Sequence, residues 1–133
     1  MLRRVRLRCL IVDDNESFLE IAAASLAGED LDVLGSATTS AEALRQVAEQ
    51  RPDVVLVDVN LGEESGFDLA RRLVQRFPQL ASGVVLISTR AERDFGGLIE
   101  ASPAAGFVPK TRLSAEAVRE LVASRSPSDR EGT

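Results

Sequence analysis

Five short apolar runs separated by amphipathic segments constrain this chain more than any other feature. They occupy residues 5–12, 31–37, 53–59, 83–88 and 106–109. The first, third and fourth are rich in Val, Ile and Leu, with little alternation of apolar and polar positions. A strand with one wet face alternates, so an unbroken apolar run predicts a strand covered on both faces. The segments between carry apolar residues at helical spacing. Phe18, Ala22 and Leu26 share one helix face, with Asn15 placed to cap it. Leu44, Val47 and Ala48 share a second, and Thr39 with Glu42 has the spacing of a capping box. Phe67, Ala70, Val74 and Phe77 form a third, stopped by Pro78. Val118, Leu121 and Val122 form the last, with Ser114 as its cap. Residues 90–102 are weaker. Phe95, Leu98 and Ile99 offer a stripe there, but Gly96 and Gly97 each cost about 1 kcal/mol against alanine in a helix, and Pro103 ends it. A short or mobile helix is expected.

Strands alternating with helices predict an α/β fold built on a parallel sheet with helices on both faces. The 133 residues suit one domain, and about two-thirds of the unfolded surface is buried at that size. Residues 6–123 are expected to fold. Residues 124–133, "SRSPSDREGT", are polar and aperiodic, and a disordered tail is expected there.

Composition removes several classes of function. Sixteen basic and twenty-one acidic residues give a net charge of −5, which disfavours a nucleic-acid-binding or anionic-membrane surface. Arg3, Arg4, Arg6 and Arg8 form a local basic cluster, read as solvated. The single cysteine, Cys9, rules out an intramolecular disulfide and a Cys-rich zinc site, and its apolar neighbours mark it as a small core residue. Histidine is absent, so triads, metal sites and phosphoryl carriers that need one are excluded. No apolar stretch approaches the length of a membrane span, and the start lacks a signal peptide's apolar region. The chain reads as soluble and cytoplasmic.

In open parallel sheets, ligands bind beyond the carboxyl ends of the strands. The first run ends in Asp13 and Asp14, the third in Asp58, the fourth in Ser88 and Thr89, and the fifth in Lys110. If these strands are neighbours, three carboxylates, a hydroxyl and an ammonium meet on one rim. Carboxylates so gathered repel one another and raise each other's pKa, which a cation relieves. Two or three carboxylate oxygens suit Mg²⁺, which keeps several waters and takes a phosphate oxygen readily. Lys110 supplies a point charge for phosphate, Ser88 a hydroxyl donor, and Asp58 a carboxylate able to act as a nucleophile. A charge ending an apolar strand is costly unless paired, and here metal and lysine would pair it.

At these residues the sequence resembles the receiver domain of bacterial two-component response regulators. The matching segments are "LIVDDN" at residues 10–15, "VVLVDVNLGEESG" at 54–66, "VVLIS" at 84–88 and "GFVPK" at 106–110. The resemblance implies a flavodoxin-like (βα)5 fold with a doubly wound five-stranded parallel sheet of order 2-1-3-4-5. It implies that Asp58 accepts a phosphoryl group from a histidine kinase or phosphotransfer protein. It implies that Asp13, Asp14, Asp58 and the backbone carbonyl of Asn60 hold Mg²⁺, that Lys110 binds a phosphoryl oxygen, and that Ser88 and Phe107 form the switch. The partner is then a downstream protein or an attached output domain, and a homodimer would use the fourth helix, fifth strand and fifth helix. Such a module is no enzyme beyond gaining and losing its own phosphoryl group. Gly62 stands where the family often has proline, which predicts a looser loop, and Thr89 where it usually has a smaller residue, which predicts narrower access.

Two alternatives use the same residues. A haloacid-dehalogenase-type Mg²⁺-dependent phosphohydrolase also pairs an Asp nucleophile with Ser/Thr, Lys and acidic residues. Its nucleophile is followed two positions later by an acid–base Asp, however, and here that position is Asn60. A degenerate receiver would bind partners without being phosphorylated.

Overall fold

Strands β1 (Leu7–Val12), β2 (Leu31–Ala37), β3 (Val54–Asp58), β4 (Val84–Ser88) and β5 (Gly106–Pro109) form one parallel sheet of order β2-β1-β3-β4-β5. The structure is a computed structural model that describes residues 6–28 and 30–125. Helices α1 (Glu16–Leu26), α2 (Ser40–Gln50), α3 (Gly66–Arg76), α4 (Leu98–Ala101) and α5 (Ala115–Arg125) cover the sheet. Helix α5 passes the boundary expected at residue 123. The rest of the expected tail, residues 126–133, lies outside the described residues, as do Val5, Arg3 and Arg4.

The unbroken apolar runs are explained by two cores, one on each face. Leu10, Val12, Val55, Val57, Val84, Leu86 and Phe107 pack with Leu44 and Val47 of α2 and Leu69 and Leu73 of α3. The alternate positions Cys9, Ile11, Val54, Leu56, Val85, Ile87 and Val108 pack with Leu19 and Leu26 of α1 and Val118 of α5. Each fully buried Val, Leu or Ile contributes about 1.5–3 kcal/mol of transfer free energy, so both faces must be apolar. Burial pushes the Cys9 thiol up to about 12, which leaves it an inert packing residue.

The helix starts follow the sequence closely. Asn15 Oδ1 accepts the Phe18 N–H at 3.1 Å, Thr39 Oγ1 the Glu42 N–H at 3.2 Å, and Ser114 Oγ the Ala117 N–H at 3.0 Å. The capping box is shifted by one, because Glu42 accepts from Thr38 N–H at 2.8 Å and not from Thr39. The buried stripes are also rotated slightly from expectation. Leu19, Ala43, Leu69 and Leu73 are buried, Phe18, Phe67, Val74 and Phe77 are partly buried, and Ala48 is exposed. Alanine's single methyl loses little by facing water. Residues 90–102 give a 3₁₀ turn, Glu92–Phe95, then the single-turn α4, with Gly96 at φ +58° between them. This is the short helix that the paired glycines predicted.

The loop after β3 differs from expectation. Asn60–Leu61 pairs antiparallel with Glu64–Ser65 in a small hairpin. Gly62, at φ +63°, is the only one of the two turn residues with positive φ, as a type II′ turn requires. A proline, fixed near φ −65°, is excluded there, and the expected looser loop is a closed turn. Glu64 Oε1 also accepts the Ser40 N–H at 2.9 Å, tying the hairpin to α2.

Gly66 opens α3 directly under the end of β3. A Cβ on it would lie 2.1 Å from the Asp58 carbonyl oxygen and 2.7 Å from Val59 Cα, so Asp58 is seated by a close backbone approach. Gly66→Ala is expected to destabilise the fold by about 3 kcal/mol or more in urea unfolding. Gly28→Ala, with nothing within 4 Å of the added methyl, is expected to cost far less.

Candidate functional site

Strand parity decides which polar residues meet. Asp13 continues the alternation of Cys9 and Ile11, Asp58 that of Val54 and Leu56, and Lys110 that of Val108; all these apolar residues face α1 and α5. Ser88 and Phe107 have the opposite parity, shared with Leu86, and belong to the side of α3. The β1–β3 register pairs Val12 with Val57 and so brings Asp13 beside Asp58. Registers Asp58↔Ile87 and Ser88↔Pro109 set Lys110 at the same rim, two strands away.

The side chains converge as the parity requires. Lys110 Nζ lies 2.6 Å from Asp13 Oδ2 and 3.2 Å from Asp58 Oδ2. Asp13 is fully buried, the Asp58 side chain is 9% exposed and that of Lys110 12%. The other oxygens take backbone donors: Asn15 N–H to Asp13 Oδ1 at 2.9 Å, and Asn60 N–H to Asp58 Oδ1 at 3.1 Å. Burial and the nearby Asp13 charge push the Asp58 carboxyl up to about 6, although the Asn60 N–H and Lys110 oppose them. Burial would lower the Lys110 ammonium. The close contact with Asp13 and the charges of Asp58 and Asp13 outweigh that and raise it.

These groups line a pocket of ≈ 290 Å³ with Asp14, Asn15, Asn60, Gly62, Ser88 and Thr89. Asp13, Asp14 and Asp58 each offer a carboxylate oxygen, all three within 4.8 Å of one another. Asp13 Oδ2 meets the ammonium charge but makes no well-directed hydrogen bond, so this buried oxygen keeps acceptor capacity. Three hard oxygen donors around one point fit a divalent cation of the Mg²⁺ type. Ser88, 1% exposed, stands in the same pocket, where its Oγ accepts the Arg90 N–H at 3.0 Å. Thr89 is exposed at the mouth. Phe107 lies off the pocket and packs on Phe95, with ring centroids 5.8 Å apart; Phe95 in turn meets Phe67 at 6.0 Å. One residue at the centre was not signalled by the sequence: the Phe18 ring lies 4.2 Å from Lys110 Nζ. Its helical spacing marked it only as an apolar face residue.

Residues 9–122 match the response regulator receiver domain family. The chain belongs to that family. Over 127 residues the receiver is 34% identical to the DNA-binding transcriptional activator DevR/DosR of Mycobacterium tuberculosis, covering 92% of this chain and 57% of that protein. Over 113 residues it is 32% identical to protein-glutamate methylesterase/protein-glutamine glutaminase 3 of Rhodopseudomonas palustris, covering 83% of this chain and 30% of that one. The signal receiver domain of a response regulator NarL from Mycobacterium tuberculosis superposes with a TM-score of 0.76 at 28% identity, covering 90% of this chain and 98% of that one. The receiver thus spans only part of these curated relatives, one named as a DNA-binding activator and the other as a methylesterase. Neither the phosphohydrolase nor the phosphorylation-independent reading is favoured. Among the described residues, no helix is long and apolar enough to cross a membrane.

The raised Asp58 pKa gives a signed expectation. The carboxyl is neutral in both folded and unfolded chains below its ordinary value of 3.8 and ionised in both above about 6. Between them the folded state holds the extra proton, so this group's contribution to stability falls as pH rises through that window. In magnesium-free buffer, Asp58→Asn is therefore expected to stabilise the receiver by up to about 3 kcal/mol at neutral pH, the gain shrinking towards pH 4. Urea unfolding at a series of pH values checks it.

Proposed function

We propose that the receiver takes a phosphoryl group on Asp58 and thereby switches a protein-binding surface. The observation that carries this is the pairing of a buried Asp58 carboxylate with the Lys110 ammonium at a three-carboxylate rim. An Asp58 oxygen attacks phosphorus as the P–N bond of a phosphohistidine on a kinase or phosphotransfer protein breaks, and the bonding pair leaves on the imidazole nitrogen. Lys110 pairs with a phosphoryl oxygen of the product. Asp13, Asp14, Asp58 and the Asn60 backbone carbonyl would hold Mg²⁺, which when bound offsets the charge of the phosphoryl oxygens. Such a donor places the receiver in the cytoplasm.

Phosphorylation adds about −1.5 to −2 charge and new acceptors beside Ser88 and Lys110. Ser88 Oγ, now held by the Arg90 N–H, is in position to rotate towards them. Arg90 covers the Phe95 ring at 5.6 Å and Phe95 touches Phe107, so that rotation loosens an existing stack. Phe107 repacks, and the face made by α4, β5 and α5 changes shape. A groove of ≈ 490 Å³ on that face, lined by Phe107, Pro109, Ala117 and Leu121 among others, supports it as the place where a homodimer partner, a downstream protein or an attached output domain docks. DNA-binding and methylesterase outputs, as named for the relatives, are both compatible with this arrangement. The switch shifts population by no more than the phosphoryl group's preference for one arrangement over the other.

Incubation with acetyl phosphate and Mg²⁺, followed by intact-mass measurement, tests the reading. One added phosphoryl group, labile to hydroxylamine and absent in Asp58→Asn, is expected. A folded wild-type protein that gains none, or an adduct that survives in Asp58→Asn, would contradict it.

A further inference from the structure

The Lys110 ammonium has three N–H donors, on a side chain only 12% exposed. Asp13 and Asp58 face it on two sides. The third side is closed by the face of Phe18, whose centroid lies 4.2 Å from Nζ, well inside the range of a cation–π contact. The ring is fixed by the same short segment that fixes the acid. Asn15 donates its N–H to Asp13 Oδ1 and accepts the Phe18 N–H on its side chain, so residues 13–18 set carboxylate and ring in one rigid turn.

We propose that Phe18 is a positioning residue for phosphoryl transfer, holding the Lys110 ammonium over the acceptor by a cation–π contact. The inference rests on the reading of Asp58 as the phosphoacceptor and extends it to a residue on α1. A lysine at a pocket mouth normally gains by swinging its flexible stem into water. With the ring behind it, the ammonium can pivot between Asp13 and an incoming phosphoryl oxygen without leaving the pocket. The ring carries no charge and does not compete for the phosphoryl group as a third carboxylate would. It touches neither phosphorus nor the acceptor and acts only through Lys110.

The test is a double-mutant cycle on phosphorylation by acetyl phosphate in Mg²⁺, read as the saturating rate and the donor concentration for half-saturation. Phe18→Leu, which keeps apolar bulk, is expected to lower the saturating rate about fivefold or more with the half-saturating concentration little changed. Phe18→Tyr is expected to restore it. In a Lys110→Ala background, Phe18→Leu is expected to cost nothing further. A wild-type rate in Phe18→Leu, or an equal loss in both backgrounds, overturns the proposal while leaving Asp58 as acceptor. Absence of any adduct on the wild type sinks the acceptor reading and with it the role of Phe18. The contact is checked without phosphorylation by NMR: the Lys110 ε-methylene protons are expected upfield in the ring's shielding cone and at ordinary shifts in Phe18→Leu. Ordinary shifts in the wild type overturn it.

Discussion

The structure depends on one buried ammonium held between two carboxylates. Lys110, Asp13 and Asp58 come from the ends of three different strands and lose most of their hydration together. Removing Lys110 would leave two buried carboxylates uncompensated, which is strongly destabilising, whereas removing Asp58 leaves the ammonium paired with Asp13. The cluster therefore constrains the sheet. Neighbouring strands lie about 4.8 Å apart, and β4 stands between β3 and β5, so a long side chain is needed to span the gap. Lysine's four-carbon stem reaches; serine or aspartate at position 110 would not.

The charge balance of this cluster makes it responsive. Asp13, Asp14 and Asp58 bring three acids to one point, and Lys110 answers for one. The remainder is relieved by a proton or a cation, and the high Asp58 pKa expresses the first option. An anionic group added to Asp58 would meet the same few atoms: the Lys110 ammonium and the Ser88 hydroxyl. Ser88 stands between this cluster and the opposite face of the sheet, because its parity differs from that of Asp58 and its Oγ accepts from the start of the segment carrying Phe95. The glycine-interrupted 90–102 segment, with its single-turn helix, offers little regular hydrogen bonding to resist movement there.

Much of this was legible in the sequence because period-two burial leaves a direct trace. Runs such as 54–57 are apolar at every position only when both faces are covered, so five strands and a parallel sheet could be read from them. Asn15, Thr39 and Ser114 announced helix starts through side chains that cap. Strand-end residues Asp13, Asp58, Ser88 and Lys110 could be gathered on one rim by topology alone. Local three-dimensional choices were less visible. Ala48 was counted as apolar, yet an alanine is nearly indifferent to burial. The hairpin at residues 60–65 was hidden because a glycine in place of proline suggests slackness, whereas its positive φ closes the turn. Glu64 on the Ser40 N–H and Phe18 over Lys110 are contacts between segments distant in sequence, and no spacing rule encodes them.

With oxygens within 4.8 Å of one another, Asp13, Asp14 and Asp58 are placed to act as one cation seat controlled by charge. Binding of Mn²⁺, as a paramagnetic substitute for Mg²⁺, measured by electron paramagnetic resonance, tests it most directly. One site per chain, displaced by excess Mg²⁺ and weakened at least tenfold in Asp13→Asn, is expected. A folded receiver that binds no Mn²⁺ at millimolar concentration, or binds it equally well in Asp13→Asn, would contradict it.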